Sequence, residues 1–491
     1  MKRREFLNLA GTAAAAAAMA PVLKSCSASG EDVSLRKLVN KNFKTSVLVV
    51  GGGPAGVCAA IAAARGGAQV MIVESGGCLG GMATQGLVGP FMTCFDTTGE
   101  EMIVRGIFEE IIDEMVKING AIHPRYVRAK TPYTAWIEAG HDHVTPFEPE
   151  AMKFVLDRMT ANAGVKTIFH ANFVSPVMDG NRVRGAIVLL KSGLAQIDAD
   201  IVIDCTGDAD VAFRSGVSCP FGNTETGGVQ PASLFFYICN VDSRTLEADV
   251  VRHLPEFRKV NGVSYRALHW WVEKAEAAGE WDIPRKSVNI YKSVKDDEWA
   301  VNTTRISNVD ATDSESLTAA EIEGRRQVQE VMHFFHKYVP GCKNATLKCS
   351  GSTIGIRESR HVDGEEVLTL DNILSAVVPE NSILVCSNSA DIHGSGGSSA
   401  TKYMTVEGGR WYGIPFGCLV PKGVEGLLVA GRSLSATSDA AGAVRVMPPV
   451  MGMGQAAGTA AALCVKNGCS VRNLDFADLR AALLDSKVFL G

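Results

Sequence analysis

The apolar positions of this chain fall in short continuous runs, not in alternating ones. Residues 46–50 (SVLVV), 69–73 (QVMIV) and 426–429 (GLLV) are apolar on both faces. That is the pattern of parallel strands covered from both sides. Residues 165–174 and 197–203 read as further strands. Between the first two runs lies 57–65, VCAAIAAAR, small and apolar throughout, which predicts a helix lying close on a sheet. A second small-residue helix is predicted from Val450 through Gly458. A third is predicted over 318–338, opened by a capping box of Thr318 and Glu321. The middle of the chain is richer in aromatics (Trp270, Trp271, Trp281, Tyr291, Trp299), with β-like runs at 287–292 and 299–306.

The links between these elements carry chemistry. The first run leads straight into Gly51-Gly52-Gly53-Pro54-Ala55-Gly56, and the second ends on Glu74, 18 residues after Gly56. Strand, G-x-G-x-x-G, helix, strand and acid is the dinucleotide-binding order. Gly51 permits the tight turn, Gly53 lets backbone approach a pyrophosphate, and Gly56 lets the helix pack on the strand. Pro54 and Ala55 open the helix, whose N–H groups and dipole face the phosphates. Glu74 is placed to accept hydrogen bonds from ribose hydroxyls.

Three later segments add to this turn. They are the loop 75–84 with Gly80, Gly81 and Thr84, the turn 204–208 with Thr206 and Gly207, and the strand-turn 426–432 ending on Gly431 and Arg432. Together with LGGMAT (79–84), DCTGDADVA (204–212), NTTRISNVDATD (302–313), GIRESRHVDGEEVLT (355–369), ADIH (390–393) and the long run 427–458, the chain resembles the bacterial FAD-dependent oxidoreductases. These are related to the fumarate-reductase and glutathione-reductase-like flavoproteins. The resemblance implies an α/β fold: a glutathione-reductase-like, Rossmann-type FAD-binding domain that is discontinuous (44–215 and 406–470). An inserted α+β substrate or cap domain spans 216–405, and 471–491 is left as a tail. It implies FAD as cofactor, held also by Val174 from the third strand region and Gln455 from the late helix. Where relatives often carry His after Ala-Thr, this chain has Ser438.

Composition narrows the reading. Of 491 residues 46% are hydrophobic, and 48 basic against 53 acidic residues give −5, so no basic surface is expected for nucleic acid. None of the 13 cysteines has CxxC spacing, so no iron–sulfur cluster or redox dithiol is expected. Cys342 with Cys349 and Cys464 with Cys469 are the disulfide candidates. The pairs His141/His143 and His333/His336 lack a third ligand, and no metal is expected. Residues 1–26 read as a targeting segment in which Arg3-Arg4-Glu5-Phe6-Leu7 resembles a twin-arginine export signal. Leu23-Lys24-Ser25-Cys26 resembles a relaxed lipoprotein box, with Cys26 lipidated, and 27–43 a polar tether. The expected location is the periplasm or a membrane anchor facing it.

The function expected is dehydrogenation of a small hydroxyl-bearing, sugar-like substrate by hydride transfer to flavin N5, with an electron acceptor or donor left open. The alternatives are a reductase of an activated double bond fed by a partner, and a glycan-binding surface lipoprotein without catalysis. Arg445, just before the late helix, is read as a fork for a carboxylate or the flavin edge, or as a partner of backbone carbonyls. Arg357, beside Glu358 and Arg360, either lines the cap or joins an ion-pair network. His393, two residues after Asp391, is read as the group that takes a proton from an alcohol, or as a loop residue. Asn302 and Arg305 are weaker candidates from the cap.

Overall fold

The computed structural model describes residues 35–394 and 400–491. The export motif, Cys26 and residues 27–34 lie outside them. At the centre is a five-stranded parallel sheet in the order Leu427–Val429, Ile201–Asp204, Val47–Val50, Val70–Val73, Lys166–Ile168. All but the last of these strands are fully buried, with helices on one face and strand residues such as Val183, Ala186, Val188 and Ile197 packed on the other. The architecture is mixed α/β.

Two helices from opposite ends of the chain lie together on this sheet. They are Pro54–Arg65 and Met447–Asn467. A Cβ on Gly454 would stand 2.0 Å from the carbonyl oxygen of Ala55, and one on Gly458 would stand 2.1 Å from that of Ala59. The small-residue composition of both helices therefore has a direct cause: their backbones touch.

The run at 197–203 is not one strand. The chain turns at Ala199 and Asp200, so Gly193–Asp198 joins a separate four-stranded sheet and only Ile201–Asp204 enters the parallel one. Val39–Lys44 pairs in parallel with Gly193–Asp198, so the end of the expected tether is an edge strand of that sheet.

The cap has its own antiparallel sheet, ordered Asn289–Lys292, Trp299–Asn302, Phe236–Cys239, Thr346–Ser350. The helix Ser314–Tyr338 packs on it through Phe334 and Phe335. This helix starts four residues before the predicted capping box: the Asp313 side chain caps it from Ser316 N–H at 2.9 Å. Glu321 instead receives the Ile354 N–H. The cap core draws on 232–354 plus Trp136, whereas Ile383 to Cys386 and Tyr412 sit in the core shared with Pro54–Arg65. The chain thus returns to the sheet side well before 405. Nor are the last residues a tail, because Leu479, Leu483, Val488 and Leu490 are buried in the same core.

Candidate functional site

The turn after Val47–Val50 has the predicted division of labour. Gly51 has φ +101°, and a Cβ there would lie 2.4 Å from the Cys205 carbonyl oxygen. A Cβ on Gly56 would lie 1.9 Å from the Gly51 carbonyl oxygen. Gly53 differs: its backbone is extended and a Cβ would meet nothing within 4 Å. It faces a cleft of about 690 Å³, lined here by Gly51, Gly53, Pro54, Ala55 and Glu74. No side chain caps the helix that begins at Pro54, so its first N–H groups remain available to a ligand.

Glu74 is nearly buried and already engaged. One carboxylate oxygen accepts the Gly52 N–H at 2.7 Å and the other accepts the Gly76 N–H at 2.6 Å. The acid thereby ties the loop 75–84 to the glycine turn. In that loop Gly81 lines the cleft, packed against Gly53. Gly80 and Thr84 shape the loop from within, the Thr84 hydroxyl donating to the Leu79 carbonyl at 2.6 Å.

The opposite wall comes from the ends of two strands. Asp204 is fully buried, accepts from Thr206 N–H, Thr206 Oγ1 and Ala212 N–H, and is pushed up to about 6 by burial. Its signal in the sequence was an acid closing an apolar strand two residues before a threonine. Thr206, Gly207, Gly431 and Arg432 line the cleft. Arg432 donates to the carbonyls of Gly207 and Ile356, both at 3.0 Å, and to Asp208 at 2.7 Å, so it fastens three segments.

Besides Gly80 and Thr84, two assigned residues lie off the cleft. Gln455 is buried away from the cleft, where it accepts the Ile107 N–H at 2.9 Å and donates to Ser486. The helix Ile107–Lys117 follows Gly106 and has no side-chain cap of its own, and Gln455 supplies one. Val174 also lies off the cleft; its neighbours Asn172 and Phe173 line it, and its carbonyl accepts from Arg214.

The cap end of the same cleft gathers charged groups. The hairpin of Ala390–His393 and Thr401–Met404 presents Asp391 and His393. His393 Nε2 lies 3.1 Å from Asp391 Oδ2, and Nδ1 lies 3.2 Å from Thr401 Oγ1. Burial lowers the imidazole to about 3 despite Asp391, so the ring is neutral. Burial acts to raise Asp391, but His393, Arg445 and Arg357 outweigh it and hold the carboxyl well below its ordinary range. Arg445 donates to Gln230 at 3.1 Å and to the Asp391 carbonyl at 3.3 Å. Arg357 donates to Ser233 Oγ at 2.8 Å and to the Pro231 carbonyl. Both arginines therefore line the cleft and also hold backbone. Glu358 and Arg360 turn away from Arg357: Glu358 accepts from Gln230 N–H and Ser438, and Arg360 reaches Asp210. Asn302 lines the cleft; Arg305 holds the Gly394 carbonyl.

Sequence reasoning missed His141, Arg266, Arg285, Tyr291 and Tyr403, all of which line the cap end. Burial lowers His141 to about 4 and raises Tyr291 to about 12, and their side chains approach to 3.4 Å. His143, by contrast, stacks on Phe95 at 4.0 Å and faces the Pro124 carbonyl, so the two histidines part ways. His336 meets the Ala345 carbonyl while His333 meets Glu280. The twelve described cysteines are all free thiols, so neither candidate disulfide is present. Each pair has a buried partner, Cys342 or Cys464, that packs as an apolar core side chain.

One cleft thus joins a glycine turn open at Gly53 and an uncapped helix end to a polar chamber. That shape and donor set fit a dinucleotide at one end and a small substrate at the other. Among curated proteins, the chain is 28% identical over 184 residues to a digeranylgeranylglycerophospholipid reductase of Methanoculleus marisnigri, covering 35% of this chain and 41% of that one. It is 36% identical over 187 residues to a thiamine thiazole synthase of Aeropyrum pernix, covering 36% and 59%. The matched part is less than two thirds of either relative. Among solved structures, a geranylgeranyl bacteriochlorophyll reductase-like protein of Thermoplasma acidophilum aligns with TM-score 0.45 at 13% identity, covering 91% of this chain and 85% of that one. A p-nitrophenol 4-monooxygenase of Pseudomonas putida gives 0.45 at 13%, covering 92% and 86%. The family model described as FAD dependent oxidoreductase matches residues 46–483, from the first strand of the parallel sheet into the last helix, and the chain belongs to that family.

Proposed function

We propose that this FAD-dependent enzyme dehydrogenates a hydroxyl-bearing small molecule in the cap end of the cleft. One observation carries the reading: a neutral imidazole, His393, opens on the same cleft as the Gly53 turn. Bound flavin would supply the hydride acceptor at N5. Gly51, Gly53, Pro54, Ala55, Glu74, Gly81, Thr206, Gly207, Gly431 and Arg432 would hold FAD, and the open front of Gly53, the space a Cβ would fill, suits its pyrophosphate.

The chain's own residues do the rest. With Nε2–H donated to Asp391, His393 keeps its lone pair on Nδ1, where the Thr401 hydroxyl now donates. A substrate hydroxyl that takes the place of Thr401 can pass its proton to Nδ1. Asp391 orients the ring and stabilises the imidazolium that forms. Arg445 and Arg357 position the substrate from the facing wall.

The finer likeness to glutathione-reductase-like proteins, the export route and the Cys26 anchor belong to the same proposal. They are supported by the glycine motifs and by residues 1–26.

The test is anaerobic. Purified holoprotein is mixed with polyols, sugars and sugar acids, and bleaching of the flavin band is followed. His393→Ala should keep FAD and slow reduction by roughly 10²–10⁴-fold with the active substrate. Reduction of that variant at the wild-type rate would refute the assignment.

A further inference from the structure

We propose that the cap end of the cleft is built for a doubly negative organic acid, received by the free guanidiniums of Arg266 and Arg285 and steadied by Arg357 and Arg445. The proposal rests on reading that end as the substrate site, and it names the substrate's charge.

Four separate segments bring these arginines together. Arg266 follows the hairpin of Arg258–Val260 and Val263–Tyr265, and Arg285 precedes the strand Asn289–Lys292. Arg357 follows the strand Thr346–Ser350, and Arg445 ends the helix Ser438–Val444. All four line the cleft.

Charge is out of balance there. Among the described residues Asp391 is the one carboxylate lining this end, and it is bonded to His393. Arg357 and Arg445 spend donors on carbonyls, Ser233 and Gln230. The guanidiniums of Arg266 and Arg285 make no hydrogen bond or ion pair among the described residues, and Arg285 Nε is buried without a partner. Four arginines against one carboxylate leave an excess of positive charge in a half-buried chamber.

The groups also strain one another. Burial first, then Arg445 and Arg285, pushes the Arg357 guanidinium below its ordinary value. Burial and, more weakly, Arg266 do the same to Arg285. Arginine stays protonated in proteins, so this is lost solvation, with repulsion added to it, that the fold sustains. A half-buried cation without a partner gives up solvation with nothing to replace it, and a chain that only needed packing would place an apolar side chain there. Two free forks ask for two oxyanions, because each fork takes a carboxylate or phosphate edge through paired N–H donors. A dianion also leaves the chamber short of over-neutralisation.

Calorimetry on the wild-type holoprotein at low salt tests this without turnover, so it stands or falls apart from the dehydrogenation reading. The probes are malonate, tartrate, glycerol phosphate and, as the neutral control, erythritol. At least one dianion should bind about 100-fold or more tightly than erythritol, and Arg266→Met and Arg285→Met should each weaken it about 10- to 100-fold. Preference for tartrate or malonate assigns carboxylates as the anion, and preference for glycerol phosphate assigns a phosphate ester. Because neither guanidinium has a partner to lose among the described residues, the ligand-free variants should melt no lower than the wild type. Dianions that bind no better than erythritol would overturn the proposal. So would wild-type affinity in both variants, or a lowered Tm with unchanged binding.

Discussion

The backbone N–H of Gly52 meets the Glu74 carboxylate at 2.7 Å, across 22 residues of chain. The turn and the acid that ends the next strand are fastened by the protein's own atoms. Glu74→Gln should therefore cost stability as well as cofactor. The amide keeps one acceptor but sets an N–H₂ against the Gly52 or Gly76 donor, a loss of about 1–3 kcal/mol. Thermal melts of the ligand-free protein check it; an unchanged Tm with weakened FAD would show that Glu74 serves the ribose alone.

Two glycines three residues apart should fail in different ways. Gly53→Val has open space in front of it, so the chain should fold with nearly native Tm and bind no FAD. Gly56→Ala drives its methyl into the Gly51 carbonyl and should unfold or badly destabilise the domain. Circular dichroism and flavin content, measured side by side, separate the two.

Arg432 should behave as a fastener with a cofactor phenotype. Arg432→Met removes bonds to Gly207, Ile356 and Asp208 at once. Each bond to a charged group contributes about 1.5–3 kcal/mol, so denaturant midpoint and FAD affinity should fall together. Loss of affinity at unchanged midpoint would reject this role.

Acid should destabilise the folded chain through its buried histidines. Unfolded histidine titrates near 6.5. In the folded chain burial lowers His141 to about 4 and His393 to about 3. Between those values and 6.5 the unfolded chain binds more protons, so stability falls as pH falls, by at most about 1.4 kcal/mol per pH unit for each group. Asp204, raised to about 6 by burial, works in the opposite sense. The contrast therefore lies between variants: His141→Asn with His393→Asn should flatten the loss between pH 6.5 and 4. A double variant as acid-sensitive as the wild type would contradict neutral histidines.

The export reading carries its own test. Arg3→Lys with Arg4→Lys should leave the protein in the cytoplasm if folded, cofactor-loaded chain is what crosses the membrane. Fractionation with undiminished export would reject the twin-arginine route.

Local chemistry was legible in the sequence where neighbours in the chain are neighbours in space. The turn from Gly51 to Gly56, the strand that ends on Glu74 and the small-residue helices are of this kind. The break at Ala199 and Asp200 was not, because the apolar run continues through it while the chain changes sheets. Gln455 sits within a motif yet caps a helix 348 residues away, a partner no local pattern announces. The arginine chamber was half visible for the same reason. Arg357 and Arg445 stand in distinctive motifs, whereas Arg266 and Arg285 lie in unremarkable polar stretches that only the cap's folding turns inward.

The contact of Ala55 with Gly454 and of Ala59 with Gly458 also orders events in time. The first helix leaves the ribosome hundreds of residues before its partner does. Until the second arrives, the close backbone contact at Ala55 and Ala59 cannot form. The cap, with a core of its own, is synthesised in the interval and can close around its aromatics first. The nucleotide-binding half is thus completed after the cap. A chain truncated before about residue 450 should present a finished cap on an unsealed sheet, a species for chaperones to hold and not one to carry a cofactor.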